Sequence, residues 1–163
     1  MQKKICLLGG FGVGKTSLVS RYVHSMFSDK YLTTVGVKIE KTSVHVKGTD
    51  VDLVIWDIYG QDDFQKVRMS YLKGASGYFL VADGTRRGTL DTALTLHDAA
   101  QQVVPGAPFT LLINKLDLAA QWEIREDLLD VLRQKGWNIL KPSAKNGDDV
   151  DQAFMGLARA MLA

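Results

Sequence analysis

Hydrophobic positions along this chain fall in short dense runs separated by stretches of helical periodicity. Lys4-Ile5-Cys6-Leu7-Leu8 is an apolar run of the kind a parallel strand buried on both faces requires. Leu18, Val19, Tyr22 and Val23 then recur at helical spacing, which predicts a helix from about Lys15 to His24. The following stretch, 25–34, has weak periodicity and reads as a loop. From Val35 to Lys47 the chain alternates with a change of phase: Val35, Val37 and Ile39 share one parity, Val44 and Val46 the other. That predicts one long strand with a bulge near Lys41-Thr42. Lys38, Lys41 and Lys47 on it fit an edge position, where charge discourages edge-to-edge pairing.

Gly48-Thr49-Asp50 is a turn signal, so Val51 to Asp57 is expected as the antiparallel partner. A polar stretch from Ile58 to Asp63 leads into a weak helix ending near Leu72. Gly77 to Asp83 reads as a buried strand, and Pro108 to Asn114 as another. Between them Leu90, Ala93, Leu96, Ala100 and Val103 define one face of a helix closed by Pro105-Gly106. Ile124, Leu128, Val131 and Leu132 mark a further helix that stops at Gly136, and Trp137 to Leu140 a short last strand. Val150, Phe154, Leu157, Ala158 and Met161 line the final helix, with Asp148, Asp149 and Asp151 at its start to favour the dipole. Strand and helix alternate throughout, which argues for one α/β sheet with helices on both faces.

Composition narrows the class without changing that picture. The 163 residues are expected to form one domain, 46% hydrophobic and 23% charged, as in an ordinary globular protein. No apolar run is long enough to cross a bilayer, and the Lys3-Lys4 start leads into Gly and Lys instead of a cleavage site. One cysteine, Cys6, excludes an internal disulfide framework and suits a reducing compartment, so a cytoplasmic location is expected. The net charge of +2 gives no reason to expect nucleic acid as a partner. Its distribution is uneven: residues 1–48 carry eight Lys/Arg against two Asp/Glu, the remainder twelve against sixteen. A basic half is compatible with a polyanionic ligand.

The chemistry starts at Gly9-Gly10-Phe11-Gly12-Val13-Gly14-Lys15-Thr16, which fits the phosphate-loop pattern of Gly, four residues, then Gly-Lys-Ser/Thr. Consecutive backbone N–H groups must curl round a polyphosphate there, which demands residues without bulk that accept unusual φ/ψ. Lys15 would reach the β- and γ-phosphates and Thr16 would offer its hydroxyl to Mg²⁺. The helix that follows would aim its positive end at the anion. This loop alone admits a kinase, an ATPase or a GTPase.

Later motifs separate these. Val54-Ile55-Trp56-Asp57 ends an apolar run with a carboxylate, the expected place for a group holding Mg²⁺ opposite Thr16. Gly60 follows, where a backbone N–H could meet a γ-phosphate, and then Gln61, which could orient a water for in-line attack. Asn114-Lys115-Leu116-Asp117 follows the fifth strand. A fixed carboxylate at Asp117 can accept the ring N–H and the amino group of guanine, and would be badly paired by adenine. Ser143-Ala144-Lys145 follows the sixth strand, and the Ala144 N–H could donate to guanine O6.

These residues together resemble the small GTPases of the Ras superfamily, in their Rab-like branch: Gly9–Thr16, Thr34, Asp57–Gln61, Asn114–Asp117 and Ser143–Lys145 occur in the family's order. The resemblance implies a phosphate-loop NTPase fold of the Ras-like G-domain type. That fold has a six-stranded, mostly parallel sheet, five helices and an antiparallel second strand. It also implies a GTP/GDP switch. Gly12, Val13 and Gly14 would contribute to the phosphate cradle, Ser17 would meet the α-phosphate, and Thr16 and Thr34 would ligate Mg²⁺. Phe27 would pack against the guanine edge with Tyr31 also at the nucleotide, loop packing being the alternative for both. Lys115 and Lys145 would sandwich the base, and Gly60 and Gln61 would form the second switch. Effector, exchange-factor and GTPase-activating proteins are the implied partners, through residues near 27–47 and 57–73 of a monomer.

The chain departs from that pattern in three places. Phe11 stands where the family carries a small residue, and a ring there is expected to crowd Gln61 and any arginine donated in trans. Ile58-Tyr59 replaces the usual Thr-Ala, with Tyr59 expected to press on the γ-phosphate region. No C-terminal cysteine or basic extension follows the last helix in this sequence, so either a tail has been removed from it or the protein is expected to lack an intrinsic lipid anchor, with membrane recruitment through partners. Slow hydrolysis is therefore expected, with a hydrolysis-deficient GTP-binding scaffold as the alternative. A kinase on the same loop lacks an evident lid.

Overall fold

The computed structural model describes residues 1–24, 37–58 and 69–163. Its six strands are β1 (Gln2–Gly9), β2 (Val37–Val46), β3 (Thr49–Ile58), β4 (Gly77–Asp83), β5 (Phe109–Asn114) and β6 (Ile139–Leu140). They form one sheet in the order β2-β3-β1-β4-β5-β6. Among the described residues only the β2–β3 pair is antiparallel; β1–β3, β1–β4, β4–β5 and β5–β6 are parallel. Helices α1 (Lys15–His24), α2 (Gly88–Val103), α3 (Glu126–Gln134) and α4 (Val150–Met161) cover it, with 3-10 turns at Met69–Leu72 and Leu116–Gln121. Among the described residues there are thus four α-helices. The weak helix expected before Leu72 is represented by the first of those turns, its earlier part lying outside the described residues.

Side-chain alternation divides the core between two layers. On one face Ile5, Leu7, Val51, Leu53, Ile55, Phe79 and Val81 pack under α1 and α4, where Leu18, Val19, Phe154 and Leu157 are buried. On the other face Cys6, Leu8, Tyr78, Leu80 and Ile113 meet Leu90, Ala93 and Ala100 of α2 and Leu129 and Leu132 of α3. Strands covered on both sides read as near-continuous apolar runs. That is why Gly77–Asp83 is buried throughout and its boundaries could be read directly from the chain.

Four expectations need correction. β2 contains no bulge, because its register with β3 is unbroken from Val37↔Ile58 to Val46↔Thr49. The phase change instead marks a change of covering layer: Val44 and Val46 face the α1/α4 side, and Val37 packs on the other face with Ile58. The hairpin turn lies at Lys47-Gly48, one residue earlier than expected, with both in the left-handed region at φ 51° and 75°, as a two-residue connection between twisted strands requires. Ile58 belongs to β3, fully buried, and not to a polar stretch. In α3, Leu129 is buried and Val131 exposed, so the expected face was rotated, and Ile124 packs from outside the helix. β2 does occupy the sheet edge, as its lysines suggest.

Parallel strands place their carboxyl ends on one side. The chain runs from β1 outward to β3 and returns to β4 on the opposite flank of β1, so a crevice opens at that switch of direction. Gly9, Asp57, Asp83 and Asn114 all lie at strand ends there, with Gly9 at the level of Val81, Leu7 of Asp57 and Asp83 of Asn114.

Candidate functional site

The loop Gly10–Gly14 carries β1 into α1. Gly12 and Gly14 have φ of 72° and 100°, which favour glycine. At Gly14 space is also lacking, since an added Cβ would lie 2.2 Å from Asn114 Nδ2. Each carbonyl along the loop has a donor. Lys15 Nζ reaches Gly9 O at 3.0 Å and Gly10 O at 3.1 Å. An Arg86 terminal nitrogen donates to Phe11 O at 2.9 Å, Lys115 Nζ to Gly12 O at 3.2 Å and Asn114 Nδ2 to Val13 O at 3.0 Å. Leu18 N–H closes the series on Gly14 O at 2.9 Å. A planar trans peptide sets its N–H opposite its C=O. Fixing these carbonyls therefore orients the N–H groups that follow them, and among the described residues those of Gly10 to Gly14 donate to no backbone carbonyl. Successive unpaired N–H groups at a helix start make a concavity for an anion.

Lys15 is only 6% exposed, and burial pushes its ammonium down to about 8 while the neighbouring Asp57 opposes the shift. Asp57 is itself buried at the end of β3. Burial pushes its carboxyl up, against the Thr16 hydroxyl, Lys15 and Lys38. Thr16 Oγ1 donates to Asp57 Oδ2, and Asp57 Oδ1 has no partner among the described residues. A hydroxyl and an orphaned buried carboxylate oxygen are hard donors of the type Mg²⁺ takes. Thr34 lies outside the described residues, as do Phe27, Tyr31, Gly60 and Gln61. Among the described residues no group of three His, Cys, Asp or Glu gathers as a metal centre; His24 and His45 pair with Glu40 and Asp50 instead.

At the other end, Asn114-Lys115-Leu116-Asp117 and Ser143-Ala144-Lys145 meet as two adjoining loops. Ser143 Oγ donates to Asp117 Oδ1 at 2.8 Å and accepts from Asn146 N–H at 3.0 Å. Leu116 N–H binds Pro142 O at 3.2 Å. Lys115 sits at φ 75°, an uncommon conformation for a side-chain-bearing residue, and Trp122 Nε1 holds its carbonyl at 2.9 Å. Asp117 and Lys145 are exposed, while Ser143 and Ala144 are buried. Val13 is buried in the core, so it can serve a ligand only through its backbone. Ser17 follows Thr16 in the first turn of α1.

Four residues at the site, Asp83, Arg86, Arg21 and Trp122, were given no role there from the sequence. Asp83, buried at the end of β4, takes Lys115 Nζ at 2.8 Å and Arg86 Nε at 3.0 Å on one oxygen. Burial would push its carboxyl up, but Lys115, Thr85 and Arg86 together hold it below the ordinary range. Arg21 of α1 grips the carbonyls of Lys145 at 3.3 Å and Asn146 at 3.1 Å. Trp122 packs against Gly84, where an added Cβ would collide with its ring, and its Nε1 holds the Lys115 carbonyl. A strand-end Asp two residues before Thr85 was the available signal for the first; the others depend on contacts distant in sequence.

A mostly parallel sheet whose first strand feeds a glycine loop and a helix start, with an antiparallel second strand at the edge, defines the Ras-like G-domain fold of phosphate-loop proteins. The Ras family model matches residues 4–163, and the chain belongs to that family. It is similar to the Ras-related protein Rab-13 of Canis lupus familiaris, 32% identical over 98% of this chain and 79% of the relative. The same protein of Bos taurus gives the same figures. The Ras-related protein Rab-1 of Theileria parva is 32% identical over 97% of this chain and 73% of its own length. The family member is thus Rab-like.

Proposed function

We propose that this chain binds GDP and GTP with Mg²⁺ and works as a slow GTP-hydrolysing switch. Ras family proteins are in general GTPases that bind guanine nucleotides, and membership supports the coarse reading. The observation that carries it is the loop Gly9–Gly14, whose carbonyls are all engaged and whose N–H groups have no backbone acceptor among the described residues. In the proposed complex those N–H groups and Lys15 hold the β- and γ-phosphates. Bound Mg²⁺ would neutralise developing phosphate charge, and Thr16, Asp57 and Thr34 are the residues to hold it. Asp117, with one oxygen steadied by Ser143, selects guanine through its N–H groups. Ala144 N–H reads O6, and Lys115 and Lys145 flank the base. Ser17, Phe27 and Tyr31 complete the nucleotide contacts. Gly60 and Gln61 meet the γ-phosphate and the attacking water.

Slow turnover is inferred from Phe11, whose side chain is 68% exposed on the lip of the loop. It stands there where an arginine supplied in trans would enter, help worth ~10³–10⁵-fold among GTPases of this superfamily. Effector contact is proposed through residues near 27–47 and 57–73. Ile39, 46% exposed, lies across from Trp56, whose ring is 6.1 Å from Tyr71, an apolar strip suited to a protein partner. Single-turnover hydrolysis of preloaded GTP by the wild type and Phe11→Gly tests the rate. The variant is expected to be faster; equal rates would refute the role of Phe11, and GTP persisting without loss in the wild type would favour a scaffold.

A further inference from the structure

We propose that Arg86 is a positioning residue that locks the Phe11–Gly12 peptide in its phosphate-facing orientation and so sets how long a nucleotide stays bound. The inference rests on the reading of the loop as a nucleotide site and adds a regulator of its lifetime. Arg86 lies in the connection between β4 and α2, far in sequence from the loop, with a half-exposed guanidinium used as a two-pronged clamp. Its Nε holds Asp83 Oδ2 at 3.0 Å while a terminal nitrogen holds Phe11 O at 2.9 Å.

The anchor for this clamp is itself rigid. Asp83 Oδ1 accepts from Thr85 N–H at 2.9 Å and Thr85 Oγ1 at 2.7 Å, while Asp83 N–H is held by Thr89 Oγ1 at 2.8 Å. That leaves Oδ2 aimed at two cations, Arg86 and Lys115, and these hold the consecutive carbonyls of residues 11 and 12. Through these two cations one buried carboxylate ties two adjacent peptide planes of the cradle to the end of β4. If the Arg86 arm is lost, the Phe11 carbonyl is free to rotate, and the Gly12 N–H rotates with it. The neighbouring planes keep their own donors, so the defect is confined to one of the N–H groups proposed to face the phosphates. Lysine at position 86 would replace a rigid planar fork, whose Nε and terminal nitrogen meet Asp83 and Phe11 at fixed spacing, by one ammonium on a flexible stem, so it would not fix the plane.

The test follows release of a fluorescent GDP, chased by excess GDP in Mg²⁺, from the wild type, Arg86→Ala, Arg86→Lys and Asp83→Asn. Arg86→Ala is expected to release about tenfold faster, the weight of one charge-assisted hydrogen bond partly screened by solvent. Association should change by less than about twofold, because encounter does not depend on one peptide plane. Arg86→Lys should behave like Arg86→Ala, and Asp83→Asn should release at least as fast. An unchanged release rate in Arg86→Ala, or full rescue by Arg86→Lys, overturns the proposal. ¹⁵N relaxation of the Gly12 amide, which requires no bound nucleotide, separates this from the function itself. Its order parameter should fall from the rigid value of about 0.85 in Arg86→Ala, and no change there overturns the clamp even if the wild type proves to bind no guanine nucleotide. A wild type that fails to retain GDP while the Gly12 amide still loosens would refute the nucleotide reading alone.

Discussion

Replacing Gly14 by alanine strikes the point where the phosphate loop and the Asn114 strand end are braced together. Two costs can be assigned separately. At φ 100° an alanine bears the left-handed penalty, about 1–2 kcal/mol. Its Cβ would also lie 2.2 Å from Asn114 Nδ2, which must move and thereby abandon Val13 O, now 3.0 Å away. Leaving that acceptor unpaired costs about 1–3 kcal/mol. The sum, about 2–5 kcal/mol, corresponds for a chain of this size to a fall of roughly 5–15 °C in melting temperature. Gly48→Ala isolates the first cost, since Gly48 has φ 75° and nothing within 4 Å of an added Cβ; it should lose only about 1–2 kcal/mol. Urea and thermal unfolding should be run on nucleotide-stripped protein, because a bound ligand adds stability of its own. Combining Gly14→Ala with Asn114→Ala removes the collision, so the double variant should lose less than the two single losses added. Equal destabilisation by Gly14→Ala and Gly48→Ala, or strict additivity in the double variant, would refute the brace.

Phe154 stacks on Tyr22 with ring centres 4.0 Å apart and meets Phe79 edge-on at 4.9 Å, joining α4, α1 and β4. Phe154→Ala should cost about 3–5 kcal/mol in urea unfolding, the range for a large buried side chain. Cys6 is fully buried, and burial pushes its thiol up to about 12, with Lys4 opposing. A thiol reagent at mildly alkaline pH should label it only as fast as the protein opens, and immediate labelling of the native chain would show that strand exposed. Gln101 Nε2 donates to Tyr78 Oη at 2.5 Å, leaving the hydroxyl proton for His97 Nδ1 at 2.9 Å, which accepts only as neutral imidazole. Burial, opposed by Asp98, lowers the His97 pKa, so this contribution is complete above the unfolded value of about 6.5 and is lost as pH falls through the lower folded value. Between about pH 7.5 and 5.5 the wild type should therefore lose more urea stability than His97→Gln, and parallel losses would refute the assignment.

What could be read from the sequence follows from how local each cause is. Gly77–Asp83 was legible because a strand buried on both faces is an unbroken apolar run up to its terminal Asp83. The phosphate loop was legible because its conformation demands glycine at Gly12 and Gly14. The phase change in β2 was visible but misassigned: a bulge and a change of covering layer leave the same mark on parity, and only the register with β3 distinguishes them. The α3 face was misread because Ile124 continues the spacing from outside the helix. Arg21, Arg86 and Trp122 carried no local signal because each meets a partner that the fold brings near, whereas Asp83 had one in Thr85, two residues on. The Arg86–Phe11 contact joins residues 75 positions apart.

The central claim is that the crevice at the strand ends holds a guanine nucleotide on the loop from Gly9 to Thr16. It is tested most directly by denaturing protein purified under mild conditions with Mg²⁺ and separating whatever nucleotide is released. GDP or GTP in near-stoichiometric amount, absent from Lys15→Ala and Asp117→Ala purified in parallel, is the predicted result. Release of ADP or ATP instead would contradict the reading of Asn114–Asp117 and Ser143–Lys145 as a guanine site, and no nucleotide, together with no binding of added GDP, would contradict the cradle itself.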